Sequence, residues 1–213
     1  MSVRLLGAKG TAIKLAKLIK DHDQIYIAAA WGSNSQVADS LIQNKEKFVS
    51  VTFGLSFCQT DPILVDRLVG IKNAFVTISE KVTFHPKLYY FQSGDNAEAI
   101  IGSSNFTNGG LDKNHEANLH VKGPTNSTVF AEIRAQIEKY RPLQRPVTKE
   151  LAESYRLQHN AARLLPKPPN PTLPGTSALA AQLASPLARL DWEAYVKSVK
   201  SSPYHNFKAR LGL

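Results

Sequence analysis

Three apolar runs decide the fold of this chain: QIYIAAA at residues 24–30, FVSVTF at residues 48–53 and AFVTIS at residues 74–79. Each run has the length and composition of a buried β-strand. Helical patterns separate the runs. Ser33 or Asn34 is predicted to cap the first helix, and Asp61, with Pro62 at the first helical position, opens a second helix that Gly70 closes. Strands that alternate with helices favour parallel pairing with right-handed crossovers.

The pattern extends to the N-terminus and changes beyond residue 80. Residues 3–6 predict a short strand and residues 11–19 a helix. A polar QSGDN loop downstream has the chemistry of a hairpin turn. The other predicted elements are strands at 84–91, 97–101 and 115–121 and helices at 125–140 and 148–164. We therefore expect an α/β fold with a mixed, mostly parallel sheet flanked by helices.

Composition excludes several classes of protein. The chain has 213 residues, 43% of them hydrophobic and 20% charged, which is typical of a globular protein with one or two domains. No run approaches the length of a membrane span, and lysines interrupt the N-terminal segment where a signal peptide would have its apolar core. One cysteine, Cys58, excludes a disulfide framework and predicts a cytoplasmic protein.

Charge and proline divide the chain unevenly. Residues 1–140 hold 15 basic and 13 acidic residues, whereas the rest holds 11 and 4, so most of the net +9 lies near the C-terminus. A basic tail favours a polyanionic partner, nucleic acid rather than a membrane, and a solubilising tail is the alternative. The predicted divisions are a domain at 1–145, a helical extension at 146–165, a Pro-rich linker at 166–187 and a short helical segment at 188–213, the start of a possible target-binding module.

One group of polar residues carries the candidate chemistry. His85 and Lys87 are two apart on a predicted strand, so both side chains leave the same face. Asn105 lies in the turn that ends the next strand, and Glu116 and Asn118 lie on the strand after that. Imidazole, ammonium, amide and carboxylate are thus predicted to meet at one edge of the sheet.

This set of groups suits phosphoryl transfer without a metal ion or other cofactor. A neutral imidazole attacks phosphorus, lysine and asparagine hold the phosphate oxygens, and a carboxylate orients the imidazole. Ser103, Ser104 and Asn118 are candidate substrate-binding residues. Taken singly, each feature is more common as a turn or a solvated surface pair. Their order along the chain favours a site.

His85-Pro86-Lys87 followed by Gly102-Ser103-Ser104-Asn105 resembles the HKD motif of the phospholipase D superfamily. Residues 106–118 are similar to its single-motif bacterial nuclease branch, which includes a metal-independent type IIS restriction endonuclease. The resemblance covers about residues 1–145. The sequence departs from the superfamily pattern at one position. Five positions after the lysine, where an acidic residue is expected, this chain has Gln92. In the nuclease branch a glutamate after the asparagine takes that role, and Glu116 matches it.

The resemblance implies a mechanism and an assembly. One histidine forms a phosphohistidine and a second protonates the leaving oxygen, so a single His-x-Lys implies a homodimer with a shared active site. The expected interface comprises residues 84–91 and 97–104 and the loop 106–111. Phe106 and Leu111 are expected to be covered by the partner, with packing inside their own subunit as the alternative. The predicted function is a nuclease on DNA rather than RNA, in restriction or defence. The alternatives are a phospholipase D-type lipid phosphodiesterase and a catalytically silent nucleic-acid-binding module.

Other residues have weaker signals. Cys58 is predicted to be a small buried hydrophobe rather than a nucleophile. His22, His159 and His205 lack the spacing of metal ligands and are expected on the surface. Trp31 follows a predicted strand, where it lines the site or packs in the core.

Overall fold

A computed structural model describes residues 1–78 and 82–164. Within these residues, eight strands form one sheet with the order β1-β7-β6-β5-β2-β3-β4-β8. The strands are β1 (Ser2–Leu6), β2 (Gln24–Ala29), β3 (Phe48–Gly54), β4 (Ala74–Thr77), β5 (Lys87–Ser93), β6 (Asn96–Gly102), β7 (Asn118–Pro124) and β8 (Arg145–Pro146). The helices are α1 (Ala8–Asp21), α2 (Gln36–Gln43), α3 (Pro62–Leu68), α4 (Thr128–Glu138) and α5 (Lys149–Arg163).

The predicted α/β class, a mixed sheet flanked by helices, is confirmed, but parallel pairing is confined to β2–β3 and β3–β4. The sheet is therefore not mostly parallel. Residues 87–124 form the antiparallel series β5-β6-β7, and the two-residue turn at 94–95 requires antiparallel pairing between β5 and β6. β5 also pairs antiparallel with β2, a long-range contact that no local pattern encodes.

Local capping explains where two helices begin. Asp61 caps α3 as predicted, since its side chain accepts the backbone N–H of Ile63. α2 is capped by Ser35, whose hydroxyl accepts the N–H of Ala38, and not by Ser33 or Asn34. The difference of one or two residues arises because three neighbouring residues have capping side chains.

The core lies on both faces of the sheet. On one face α1, α2, α3 and α5 cover buried residues that include Phe53 and Tyr89, and on the other α4 contributes Phe130 and Ile133. Tyr155 of α5 donates a hydrogen bond to a backbone carbonyl of the β3–α3 loop. α5 therefore belongs to the compact unit Met1–Leu165. The predicted linker (166–187) and C-terminal segment (188–213) lie outside the described residues.

Two histidines differ from expectation. His22 and His159 are buried rather than exposed, at 6% relative accessibility each. His22 lies at the end of α1 with its ring 6.0 Å from that of Phe91, and His159 packs beside Tyr155. The ring's apolar faces therefore outweigh its polarity at both positions. His205 lies outside the described residues.

No helix in residues 1–78 or 82–164 has both the length and the apolar character needed to cross a bilayer.

Candidate active site

Four strands present one edge of the sheet to solvent. Ala29 of β2 pairs with Lys87 of β5, and Gly102 of β6 pairs with Asn118 of β7. β5 and β6 are in register through Leu88 opposite Ile101. The end of β2, the start of β5, the end of β6 and the start of β7 therefore lie side by side. Residues just beyond these strand ends form the candidate site.

His85 and Lys87 are in direct contact, although the structure corrects the predicted strand. β5 begins at Lys87, so His85 lies in the segment before it, on the solvent side of Pro86. The Pro86 carbonyl accepts the N–H of Ala30 and ties this segment to β2. The Lys87 Nζ lies 2.9 Å from the His85 Nδ1, 3.0 Å from its Nε2 and 3.1 Å from its carbonyl oxygen.

This contact favours a neutral imidazole. Partial desolvation lowers the pKa of His85 below its ordinary value, and the positive charge of Lys87 lowers it further. Burial also lowers the pKa of Lys87, while the carboxylate of Glu116 opposes that shift. A neutral imidazole has one unprotonated ring nitrogen, and its lone pair becomes available for attack on phosphorus when Lys87 turns from the ring to a phosphate oxygen.

Glu116 is held at the same edge by side-chain hydrogen bonds. It precedes β7 rather than lying on it, and its carboxylate accepts bonds from the hydroxyl of Ser103 and, at 3.1 Å, from the amide of Asn114. The N–H of Ala117 donates to the Ser103 hydroxyl at 3.0 Å. Glu116 thus acts on Lys87 through its charge, and its hydrogen bonds go to Ser103 and Asn114.

Ser104 and Asn118 form a buried network behind the site. The Asn118 amide oxygen accepts the N–H of Ser104 at 3.0 Å, and its nitrogen donates to the Ser104 hydroxyl at 2.8 Å and to Thr11 of α1 at 3.0 Å. The Tyr89 hydroxyl donates to the Ser104 carbonyl at 2.8 Å. Ser104 is fully buried and Asn118 is 1% exposed, so these contacts position the turn after β6.

Asn105 follows this network and retains unused hydrogen-bonding capacity. Its Oδ1 is buried and accepts no hydrogen bond from any residue that the structure describes. Its backbone lies against Gly110, where an added Cβ would stand 2.5 Å from the Asn105 carbonyl oxygen. Gly110 therefore permits the close approach that holds Asn105 in place.

Trp31 lines the site. Its ring stands edge-on to the ring of His85, with centroids 5.1 Å apart, and the Lys87 ammonium lies 5.7 Å from the indole centroid. The indole N–H donates to the carbonyl of Ser56 at 3.2 Å. The sequence left the role of Trp31 open because its contacts to residues 56 and 85 are both long-range.

A surface cleft of about 640 Å³ adjoins Ser103 and Glu116. The first turn of α1 contributes Lys9 to its lining, and the segment before β7 contributes His115, which is exposed. Sequence reasoning did not single out Lys9, and nothing in its spacing signals this position. Among the described residues, no three His, Cys, Asp or Glu side chains are grouped as a metal site.

The family is settled by comparison of the whole domain. The profile of the family described as "Cardiolipin synthase, PLD-like domain" matches residues 12–141, more than half of the chain. The chain belongs to the phospholipase D-like family. His85, Lys87, Asn105 and Glu116 all lie within the matched part of this PLD-like domain.

Solved structures with the same fold extend over most of the PLD-like domain. Nuc from Salmonella typhimurium, a phospholipase D family member, matches with a TM-score of 0.54 at 15% identity, over 70% of this chain and 99% of its own. NucT from Helicobacter pylori matches at 0.52 and 12%, over 67% and 97%. Phosphatidylserine synthase from Haemophilus influenzae matches at 0.51 and 13%, over 76% and 43%. A search of curated proteins finds no sequence match.

Proposed function

We propose that this PLD-like domain is a nuclease that hydrolyses phosphodiester bonds in nucleic acid, DNA rather than RNA, without a metal ion. The observation that carries the proposal is the contact of the Lys87 ammonium with a neutral, solvent-exposed His85 imidazole. The net charge of +9 favours a polyanionic substrate. The fold likeness to Nuc and NucT, which covers nearly all of each of those chains, supports a nuclease.

The proposed reaction has two displacements at phosphorus. A ring nitrogen of neutral His85 attacks, the N–P bond forms, and the bond from phosphorus to the leaving oxygen breaks as a second imidazole, which carries an extra proton in this step, donates that proton to the oxygen. Water then attacks phosphorus and gives its proton to that second imidazole, and the N–P bond breaks. Lys87 and Asn105 stabilise charge on the phosphate oxygens, and Glu116 holds Ser103 beside them.

The second imidazole is proposed to come from a second copy of the chain. Of the histidines in the described part of the chain, His22, His120 and His159 are buried, and His120 is bound to Glu98 at 2.6 Å. His85 and His115 are exposed. A two-fold axis that passes close to His85 at the sheet edge would bring each His85 near its own copy, because residues beside such an axis face their own copies.

The proposed interface takes account of which apolar residues one subunit already buries. Phe106 is fully buried and Leu111 is 5% exposed within one subunit, so the loop 106–111 does not offer the apolar surface that was expected. An apolar row instead crosses the neighbouring strands through the paired residues Ile101, Leu119 and Leu5. Their exposure rises from 37% to 49% and 73% along the row. We assign part of the dimer interface to this row, which is one residue from the end of β6 and lies on the face of the sheet opposite Lys87, so a shared site requires that the two-fold axis pass beside the strand ends.

The cellular location and the biological role are part of the same proposal. A cytoplasmic location rests on the single cysteine, and a role in restriction or defence rests on the resemblance to the single-motif nuclease branch. Residues 188–213 remain the proposed beginning of a target-binding module, and the Pro-rich residues 166–187 its linker.

Cleavage in the absence of metal tests the proposed function. Full-length protein is incubated with supercoiled plasmid in excess EDTA, and nicked and linear products are measured. We expect the rate to equal that with magnesium, because histidine and lysine replace the two-ion clamp of metal nucleases. Parallel samples contain phosphatidylcholine vesicles. Strict magnesium dependence would contradict the mechanism, headgroup release without nicking would indicate the lipid phosphodiesterase, and DNA binding without cleavage would indicate a silent binding module.

A further inference from the structure

The loop after β3 presents an aromatic side chain in an unusual backbone conformation. Phe57 is 69% exposed and has a φ of 60°, and the next residue, Cys58, has a φ of 50°. Both values lie in the left-handed region, which is costly for a residue with a bulky side chain. A large apolar group displayed to solvent at such a position needs an explanation that core packing does not provide.

Hydrogen bonds from three sides hold this loop. The Thr60 hydroxyl donates to the Gly54 carbonyl at 2.6 Å, and the Tyr155 hydroxyl donates to the Thr60 carbonyl at 2.6 Å. The Trp31 indole N–H donates to the Ser56 carbonyl at 3.2 Å. Surroundings that impose a strained conformation are frequent at functional sites.

The same contacts connect Phe57 to the catalytic edge. Trp31 stands edge-on to His85, 5.1 Å between ring centroids, and binds the residue immediately before Phe57. A half-buried Trp31 and a largely exposed Phe57 are thus linked through the backbone of Ser56, and Trp31 contacts the proposed nucleophile. The Lys87 ammonium, proposed to bind phosphate, lies 5.7 Å from the Trp31 centroid.

We propose that Trp31 and Phe57 form a stacking platform for unpaired bases beside the scissile phosphate, so that the substrate class is single-stranded nucleic acid. This inference rests on the proposed nuclease function. Every base offers a π-face to an aromatic ring, which makes such stacking tolerant of sequence. In a duplex both faces of a base are covered by its neighbours. The platform is therefore usable by a single strand or an opened end and not by an intact helix.

The test compares binding of a labelled single-stranded oligonucleotide with binding of the same strand annealed to its complement as a blunt duplex, by fluorescence anisotropy on the full chain. Phe57→Ala should weaken single-strand binding about tenfold, the loss of one stacked base, and leave duplex binding unchanged. Phe57→Gly should give the same loss and an unfolding temperature no lower than that of the wild type, because glycine suits the positive φ. Ile63→Ala, at an exposed position of α3, is the matched control and should change neither affinity.

Each result decides between the platform and its alternatives. Equal losses on both substrates, no loss for Phe57→Gly, or no single-strand binding by the wild type would overturn the platform. Binding is measured independently of cleavage, so the two proposals fail separately. A wild type that does not cleave DNA, with single-strand binding that depends on Phe57, would retain the platform and refute the nuclease. If the protein cleaves a single strand but neither binding nor cleavage changes on substitution of Phe57, the nuclease is retained and the platform is refuted.

Discussion

His85→Ala is expected to lower the rate of phosphodiester cleavage about 10⁴-fold or more, the loss typical when the nucleophile of a catalytic unit is removed. The fold should survive, because the exposed His85 side chain contacts Trp31 and Lys87 at the surface and takes no part in either apolar core. Single-turnover cleavage in EDTA measures the rate, and thermal unfolding measures stability. Activity near that of the wild type would exclude His85 as the nucleophile.

His115→Ala is the matched control for this substitution. His115 is also exposed and lines the cleft beside Glu116, but it is separate from the His85–Lys87 contact. We expect its loss to change the rate little. A loss as large as that of His85→Ala would place the second imidazole in the same subunit and contradict the shared site.

Mixed dimers of wild type and His85→Ala are expected to be inactive, because a composite site in such a dimer has one imidazole where the reaction needs two. When equal amounts are mixed and allowed to exchange, only wild-type homodimers cleave, so activity per total protein falls to about a quarter of the pure wild-type value. The measurement is the initial rate across a series of mixing ratios. A linear dependence on the wild-type fraction would show that each subunit works alone.

The interface row supplies an independent control for the mixed dimer. Leu5→Asp combined with Leu119→Asp places two carboxylates opposite each other on β1 and β7, on an exposed apolar surface away from His85 and Lys87. We expect a folded monomer by light scattering, with cleavage reduced to the level of His85→Ala. A monomer with full activity would refute the shared site.

Much of the fold follows from local chemistry, which the sequence displays directly. Asp61 before Pro62 marks the start of α3, and the QSGDN loop forms the β5–β6 hairpin with Gly94 at a φ of 50°. The antiparallel insertion of β5 beside β2 has no such local signal, because it depends on which strand edges remain free once the domain collapses. This long-range pairing made the sheet less parallel than its first half predicts.

The candidate site was likewise predictable from the sequence only in part. The pairing of His85 with Lys87 was predictable from their spacing, although the contact is made from outside the strand, because Pro86 supplies no N–H for the ladder. The buried roles of Ser104 and Asn118 were not predictable, since a polar residue at the end of a strand is equally compatible with substrate binding and with a buried hydrogen-bond network. In the structure Asn118 bonds both Ser104 and Thr11 in such a network. Trp31 reaches the residue before Phe57 only through the long-range hydrogen bond from its indole N–H to the Ser56 carbonyl, which no local pattern signals.

The covalent intermediate is the most direct test of the central claim, a metal-independent nuclease that works through His85. Wild-type protein is mixed in EDTA with an oligonucleotide labelled at the 5′ end or, in a parallel sample, at the 3′ end, because only one of the two fragments stays attached to the nucleophile. The reaction is quenched in alkali within one turnover, and the protein is separated under denaturing conditions before peptide mapping. The account predicts label attached to the peptide that contains His85, absent from His85→Ala and still present in His115→Ala. Cleavage that proceeds with no labelled protein at any time within the turnover, or label on another residue, would contradict it.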